Sequence, residues 1–165
     1  MTYTIEPDEE LTAQTLYSII QKHLIARANL QTLHDYYIGK HELEKESAEG
    51  RPNLFAYTNF ARYITNTATG YFVGVPPKYT FSEQIDGDSI QRIFDMNDET
   101  AVNFQLAKDM SVFGVGYDVV WLDESSNVRI NTLNPMDVFL IAENTIARDC
   151  IAAVRLYWVT LNGLE

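Results

Sequence analysis

Thr69-Gly-Tyr-Phe-Val-Gly-Val-Pro-Pro-Lys-Tyr-Thr-Phe81 decides how the chain divides into elements, because a polar helix runs into Gly-Tyr-Phe-Val-Gly and halts on two prolines. Glycine at position 74 can take the left-handed conformation that ends a helix, and Pro76 and Pro77 cannot continue one. The segment therefore reads as a corner: a helix stop, then an extended run from Lys78 to Phe81. It carries no catalytic side chain.

Working upstream, Tyr57, Ala61, Ile64, Ala68 and Tyr71 repeat at alternating four and three residues and make one continuous stripe, predicting a helix that begins after Pro52 and Asn53. Lys40 to Gly50 is charged and poor in apolar residues, so a mobile loop is expected there. Before it, Leu16, Ile19, Ile20, Leu24, Leu30, Leu33 and Tyr37 recur at helical spacing. Asp8, Glu9 and Glu10 suit the positive end of a helix from about Pro7 to Tyr37, and Gly39 stops it. Such a helix would be roughly 45 Å long at about 1.5 Å per residue, so it is expected to reach out from the body or to kink.

Downstream, Glu83 to Glu99 holds six acidic residues and one basic residue, Arg92; Ile90, Ile93 and Phe94 mark a short helix within it. A solvated face is the expected reading of this run. Asn97 or Asp98 can cap a further helix with the stripe Val102, Leu106, Met110 and Phe113, ending at Gly114. The period then changes. Tyr117 to Leu122 and Val128 to Leu133 flank the polar turn Asp123-Glu-Ser-Ser-Asn127, a β-hairpin signal, and Val138 to Ile141 and Ile151 to Val159 add two more strands. Long helices first and a small antiparallel sheet later is the order of an α+β fold. The expected organisation is a helix and charged loop over residues 1–50, then an α+β domain over 51–165.

The chain has 165 residues, 46% of them apolar, enough for a substantial core. Twelve Lys and Arg against 23 Asp and Glu give a net charge of −11, a field that repels phosphate and argues against direct gripping of nucleic acid. Cys150, the single cysteine, leaves no internal disulfide and is expected to be a small core residue. The N-terminus lacks the basic start and apolar stretch of a signal peptide, and no apolar run reaches the roughly 18 residues a membrane helix needs. The closing Leu164-Glu165 is what a cloning site before a purification tag leaves, so a longer natural chain is expected.

Motifs for chemistry are weak. Gly114-Val-Gly116 follows a helix and leads into a strand, the reverse of a dinucleotide loop, and Val119 stands where the third glycine would be. Gly70 to Gly74 lacks the Lys-Ser or Lys-Thr of a phosphate loop. Asp86 and Asp88 begin like a calcium loop, but Asn97 stands where its last carboxylate should be; a turn and helix cap is expected instead. His23, His34 and His41 are read as surface residues, because His34, Asp35 and His41 make a poor zinc set. No catalytic, cofactor-binding or metal-binding residue is assigned.

Taken in order, Tyr36-Tyr37-Ile-Gly39, Arg51-Pro-Asn-Leu54, Asn59-Phe-Ala-Arg-Tyr-Ile64 and Thr69-Gly70-Tyr71-Phe-Val-Gly74-Val-Pro76 are followed by Asn97-Asp98, Phe113-Gly114-Val-Gly116-Tyr117, Leu133-Asn-Pro135-Met136 and Ala153-Val-Arg155-Leu-Tyr157. This series resembles the N-terminal region of portal proteins of tailed bacteriophages of the siphovirus type. The resemblance covers Tyr36 to Tyr157; each motif alone is weak, the ordered set more specific. It implies a virion protein, made in the host cytoplasm, forming a ring, commonly of twelve subunits, at one capsid vertex through which double-stranded DNA is packaged by terminase and later ejected. It also implies contacts with scaffold, major capsid and head-completion proteins, no membrane, and a place for this chain in the outer wing. Tyr37, Gly39, Asn59, Gly70, Tyr71, Gly74, Pro76, Gly114, Gly116, Pro135 and Arg155 are then structural motif residues. The competing readings are a small acidic protein-interaction module that forms no ring, and an enzyme using a metal at His34, Asp35 and His41.

Overall fold

The structure, a computed structural model, describes residues 1–41 and 58–159. The charged stretch after Lys40, the helix start after Pro52 and Asn53, the Arg51–Leu54 motif and the closing Leu-Glu lie outside the described residues, apart from Lys40 and His41. Strand β1 (Thr2–Ile5) is followed by α1 (Ala13–Ile38), α2 (Phe60–Val73), α3 (Gly87–Met96) and α4 (Glu99–Phe113). Strands β2 (Tyr117–Leu122), β3 (Val128–Leu133), β4 (Val138–Glu143) and β5 (Cys150–Arg155) complete an α+β fold with helices first and antiparallel strands after.

β2 and β3 form the expected hairpin, with Tyr117 opposite Leu133 and Leu122 opposite Val128. Its turn is held by Asp123, whose Oδ1 accepts from the N–H groups of Ser125 and Asn127 and whose Oδ2 accepts from Arg129 Nε at 2.8 Å. The Asn127 N–H bond is the largest influence keeping this carboxyl at a pKa of about 2. The second sheet has the order β1-β4-β5. β4 runs antiparallel to β5, and β1, which the sequence did not disclose, adds a parallel strand on the other edge, Thr2 opposite Leu140 and Ile5 opposite Glu143.

Helix α1 starts later than the acidic run suggested. Thr12 is the cap, its hydroxyl accepting from Thr15 N–H at 3.2 Å, so Asp8, Glu9 and Glu10 precede the helix. At its far end Gly39 has φ 87°, and its N–H bonds the carbonyls of Asp35 and Tyr36. The helix covers roughly 39 Å at about 1.5 Å per residue. Its Ile19 packs into a core of Ile5, Phe139 and Ile141, with Tyr3, Leu16, Ile20, Val154 and Leu156 around it. Each such aliphatic side chain contributes about 1.5–3 kcal/mol on full burial.

The inner face of α1 carries Leu16, Ile19, Ile20, Leu30 and Tyr37 of the expected stripe, each buried or half-buried, with departures at other positions. Leu24 and Leu33 are exposed, whereas His23, expected at the surface, is 0% exposed. Its Nε2 lies 3.0 Å from the Met136 carbonyl oxygen, and its ring sits 4.7 Å from that of Phe139. The carbonyl bond makes the imidazole a tolerable core residue, because a buried polar group is costly only when unpaired. Burial is the first cause lowering its pKa.

The stripe of α2 is turned. On α2 the inward residues are Ala61, Thr65, Thr69 and Val73, at a spacing of four; Ile64, Ala68 and Tyr71 face out. On α4, Val102, Leu106 and Phe113 of the expected stripe are half-buried and Met110 is exposed, while Ala107 and Asp109 are buried. Gln105 Nε2 donates to Asp109 Oδ1 at 2.7 Å, while burial pushes the Asp109 carboxyl above its ordinary range. Cys150, expected in the core, is exposed at the start of edge strand β5. A strand at the sheet edge with one face uncovered does not bury every position of a strand-like run.

Candidate interaction surface

The corner that opened the sequence reading ends α2 by a different device from the one expected. Gly74 has φ −67° and ψ −19°, right-handed rather than left-handed, and its N–H still bonds Gly70 O at 3.0 Å. Termination falls instead to Pro76 and Pro77, since each proline disfavours helical backbone in the residue before it. Glycine is nevertheless required at 74: a Cβ there would run into the Gly70 carbonyl oxygen. At Gly70 itself a Cβ would meet nothing within 4 Å.

Past the prolines the chain reaches α3 and α4. Tyr79 Oη donates to Glu99 Oε1 at the start of α4, and its ring lies 4.9 Å from Phe94 of α3. Phe81 rests against Gly87, where a Cβ would come within 2.6 Å of the Phe81 ring. Asp86, read as a possible turn and cap, accepts from Ser89 N–H and Ser89 Oγ and so caps α3; these bonds lower its pKa.

Of the motif residues, Tyr37, Gly39 and Asn59 come together where α1 ends and α2 begins. Asn59 Nδ2 donates to Tyr37 O at 2.9 Å, its Oδ1 accepts from Arg62 N–H at 2.9 Å, and a Cβ on Gly39 would press on Asn59 Nδ2 at 3.1 Å. Gly114 ends α4 at φ 75°, and Gly116 lies against Leu106 and Met110, where a Cβ would approach the Leu106 carbonyl oxygen to 3.1 Å. Pro135 is wholly buried beside Met136. Arg155 is exposed on β5, its guanidinium 5.8 Å from the Tyr157 ring centroid. Gly70, Tyr71 and Pro76 are exposed at the corner. These groups are spread over separate parts of the fold.

One joint was not visible in the sequence. Asn97 Nδ2 donates to Ile93 O at 2.7 Å and to Val128 O at 2.9 Å, and its Oδ1 accepts from Ile130 N–H at 2.9 Å. It fastens the end of α3 to strand β3. The sequence marked Asn97 only as a possible cap, since nothing local points to a partner 31 residues away.

What the surface offers is apolar area. On the outer face of α2, Phe60, Tyr63, Ile64 and Tyr71 are 66%, 64%, 63% and 90% exposed, and Val120, Trp121, Tyr157 and Trp158 are exposed elsewhere. Among the described residues no group of three His, Cys, Asp or Glu is placed to hold a metal ion, and no helix is long and apolar enough to cross a membrane. His34 lies 3.9 Å from Asp35 and stacks on Phe113, while the His41 ring packs at a tilt against Tyr36.

Uncovered apolar faces of this extent mark surfaces where another molecule or segment can bind. The chain matches the family described as phage portal protein, SPP1 Gp6-like, over residues 17–163, and it belongs to that family of structural phage proteins. No curated protein matches it.

Proposed function

We propose that this chain is the N-terminal, wing part of a portal subunit that closes into a ring, commonly of twelve copies, at one vertex of the capsid. Double-stranded DNA passes through the ring during packaging and ejection, and the role of the chain is structural rather than catalytic. The observation that carries the reading is the family match across residues 17–163. The net charge of −11 supports a wing that keeps weak contact with DNA, because a conduit works by letting the duplex slide. Terminase, scaffold, major capsid and head-completion proteins are the partners this role requires, in the host cytoplasm during assembly and then in the virion.

Deleting the gene from its phage tests the reading. The expected result is capsids without packaged DNA, restored by the gene in trans, with an epitope-tagged protein labelled at one vertex per particle. Full heads in the deletion strain, or label spread over all vertices, would overturn it.

A further inference from the structure

The sequence of α2 carries two stripes. Ala61, Thr65, Thr69 and Val73 face inward, while Phe60, Tyr63, Ile64, Thr67 and Tyr71 occupy the opposite side at spacings of three and four. The large residues are thus outside and the small ones inside, the reverse of a helix that serves only its own core. An aromatic side chain presents about 150–250 Å². At their exposures, Phe60, Tyr63, Ile64 and Tyr71 leave on the order of 500 Å² of apolar surface, near the top of the range for a monomer and a large part of the roughly 800 Å² each partner gives a standard interface.

Charge selects the occupant. Between Glu49 and Glu83 there is no Asp or Glu, and this segment carries Arg51, Arg62 and Lys78; all 23 carboxylates lie in the rest of the chain, with only nine cations. Copies of so acidic a chain repel one another over most surfaces. The outer face of α2 is where a second copy can be desolvated without burying carboxylates, and the acidic remainder of that copy supplies the complementary field.

We propose that the outer face of α2, centred on Phe60, Ile64 and Tyr71, seats one subunit against an unlike face of the next copy. Unlike faces are what a ring needs, because head-to-tail contacts close when the rotation allows. The inference deepens the ring reading and rests on it.

The test uses full-length protein with Tyr71→Cys in a Cys150→Ser background, labelled with benzophenone maleimide, mixed from ¹⁵N-labelled and unlabelled batches, and irradiated. Mass spectrometry is expected to find mixed-isotope cross-links between copies, at least tenfold more than from Glu124→Cys in the hairpin turn. In parallel, Ile64→Asp with Tyr71→Asp is expected to keep the melting temperature and lower the assembled fraction at least tenfold. Cross-links confined to one isotope, which mark the chain's own segments, would overturn the inference. Rings from the double variant as abundant as wild type would overturn it and leave the ring reading intact. A wild-type protein that never assembles and never cross-links would overturn both.

Discussion

His23 of α1 reaches the Met136 carbonyl oxygen at 3.0 Å, inside the core shared by α1, β1 and β4. A histidine at zero exposure joins a helix that the sequence marked as amphipathic to the loop that leads into the central strand. Around it stand Tyr3, Phe139, Arg27, Asp137 and the N-terminal ammonium.

Burial lowers the pKa of His23 below 6.5, so the unfolded chain binds its proton first as pH falls. Stability from the neutral imidazole is full above about pH 6.5 and is lost as pH drops from there toward the lowered folded value. Asp109, with a raised pKa, has the opposite sign: its burial cost is relieved as pH falls toward the carboxylate range. The melting temperature of wild type is expected to fall more steeply from pH 7 to pH 5 than that of His23→Gln, which is less stable at pH 7 but lacks the imidazole. Parallel slopes would show that His23 does not control this window.

Asn97→Ala removes two bonds between α3 and β3 and a third within the end of α3, and leaves Ile130 N–H and Val128 O without this partner. The expected loss is about 1–3 kcal/mol in urea unfolding. A change below about 0.5 kcal/mol would mean that water replaces the side chain at no cost.

Gly74→Val and Gly70→Ala make an opposed pair. The first drives a branched side chain into the Gly70 carbonyl, so the end of α2 must move, and a loss of more than about 1 kcal/mol is expected. The second adds a methyl in open space within a helix, where alanine is favoured over glycine by roughly 0.5–1 kcal/mol. Equal melting temperatures for the two variants would contradict the geometry of the corner.

Cys150 is exposed, so a thiol reagent is expected to modify one sulfur per chain in the native protein. Reaction only after denaturation would place it inside.

The hairpin, the caps at Asp86 and Asp98 and the α+β order were legible because each rests on neighbours a few residues apart. What failed to read was the buried side of α2 and the burial of polar residues. Period alone locates a stripe but not the side of the helix it covers, and on α2 the large apolar stripe of Ile64 and Tyr71 is the exposed one. His23 and Asn97 were missed for a related reason, since their partners Met136 and Val128 lie 113 and 31 residues away. Gly74 was read as a left-handed cap; its backbone is right-handed, and the constraint on it is steric contact with Gly70. Strand β1, four residues long, takes its place from parallel pairing with β4, which no local pattern announces.

Electron microscopy of the purified full-length protein in negative stain tests the portal account most directly. Closed rings of uniform subunit number, with an open channel wide enough for a DNA duplex, are the expected result. A monodisperse monomer under conditions that preserve the fold would contradict it.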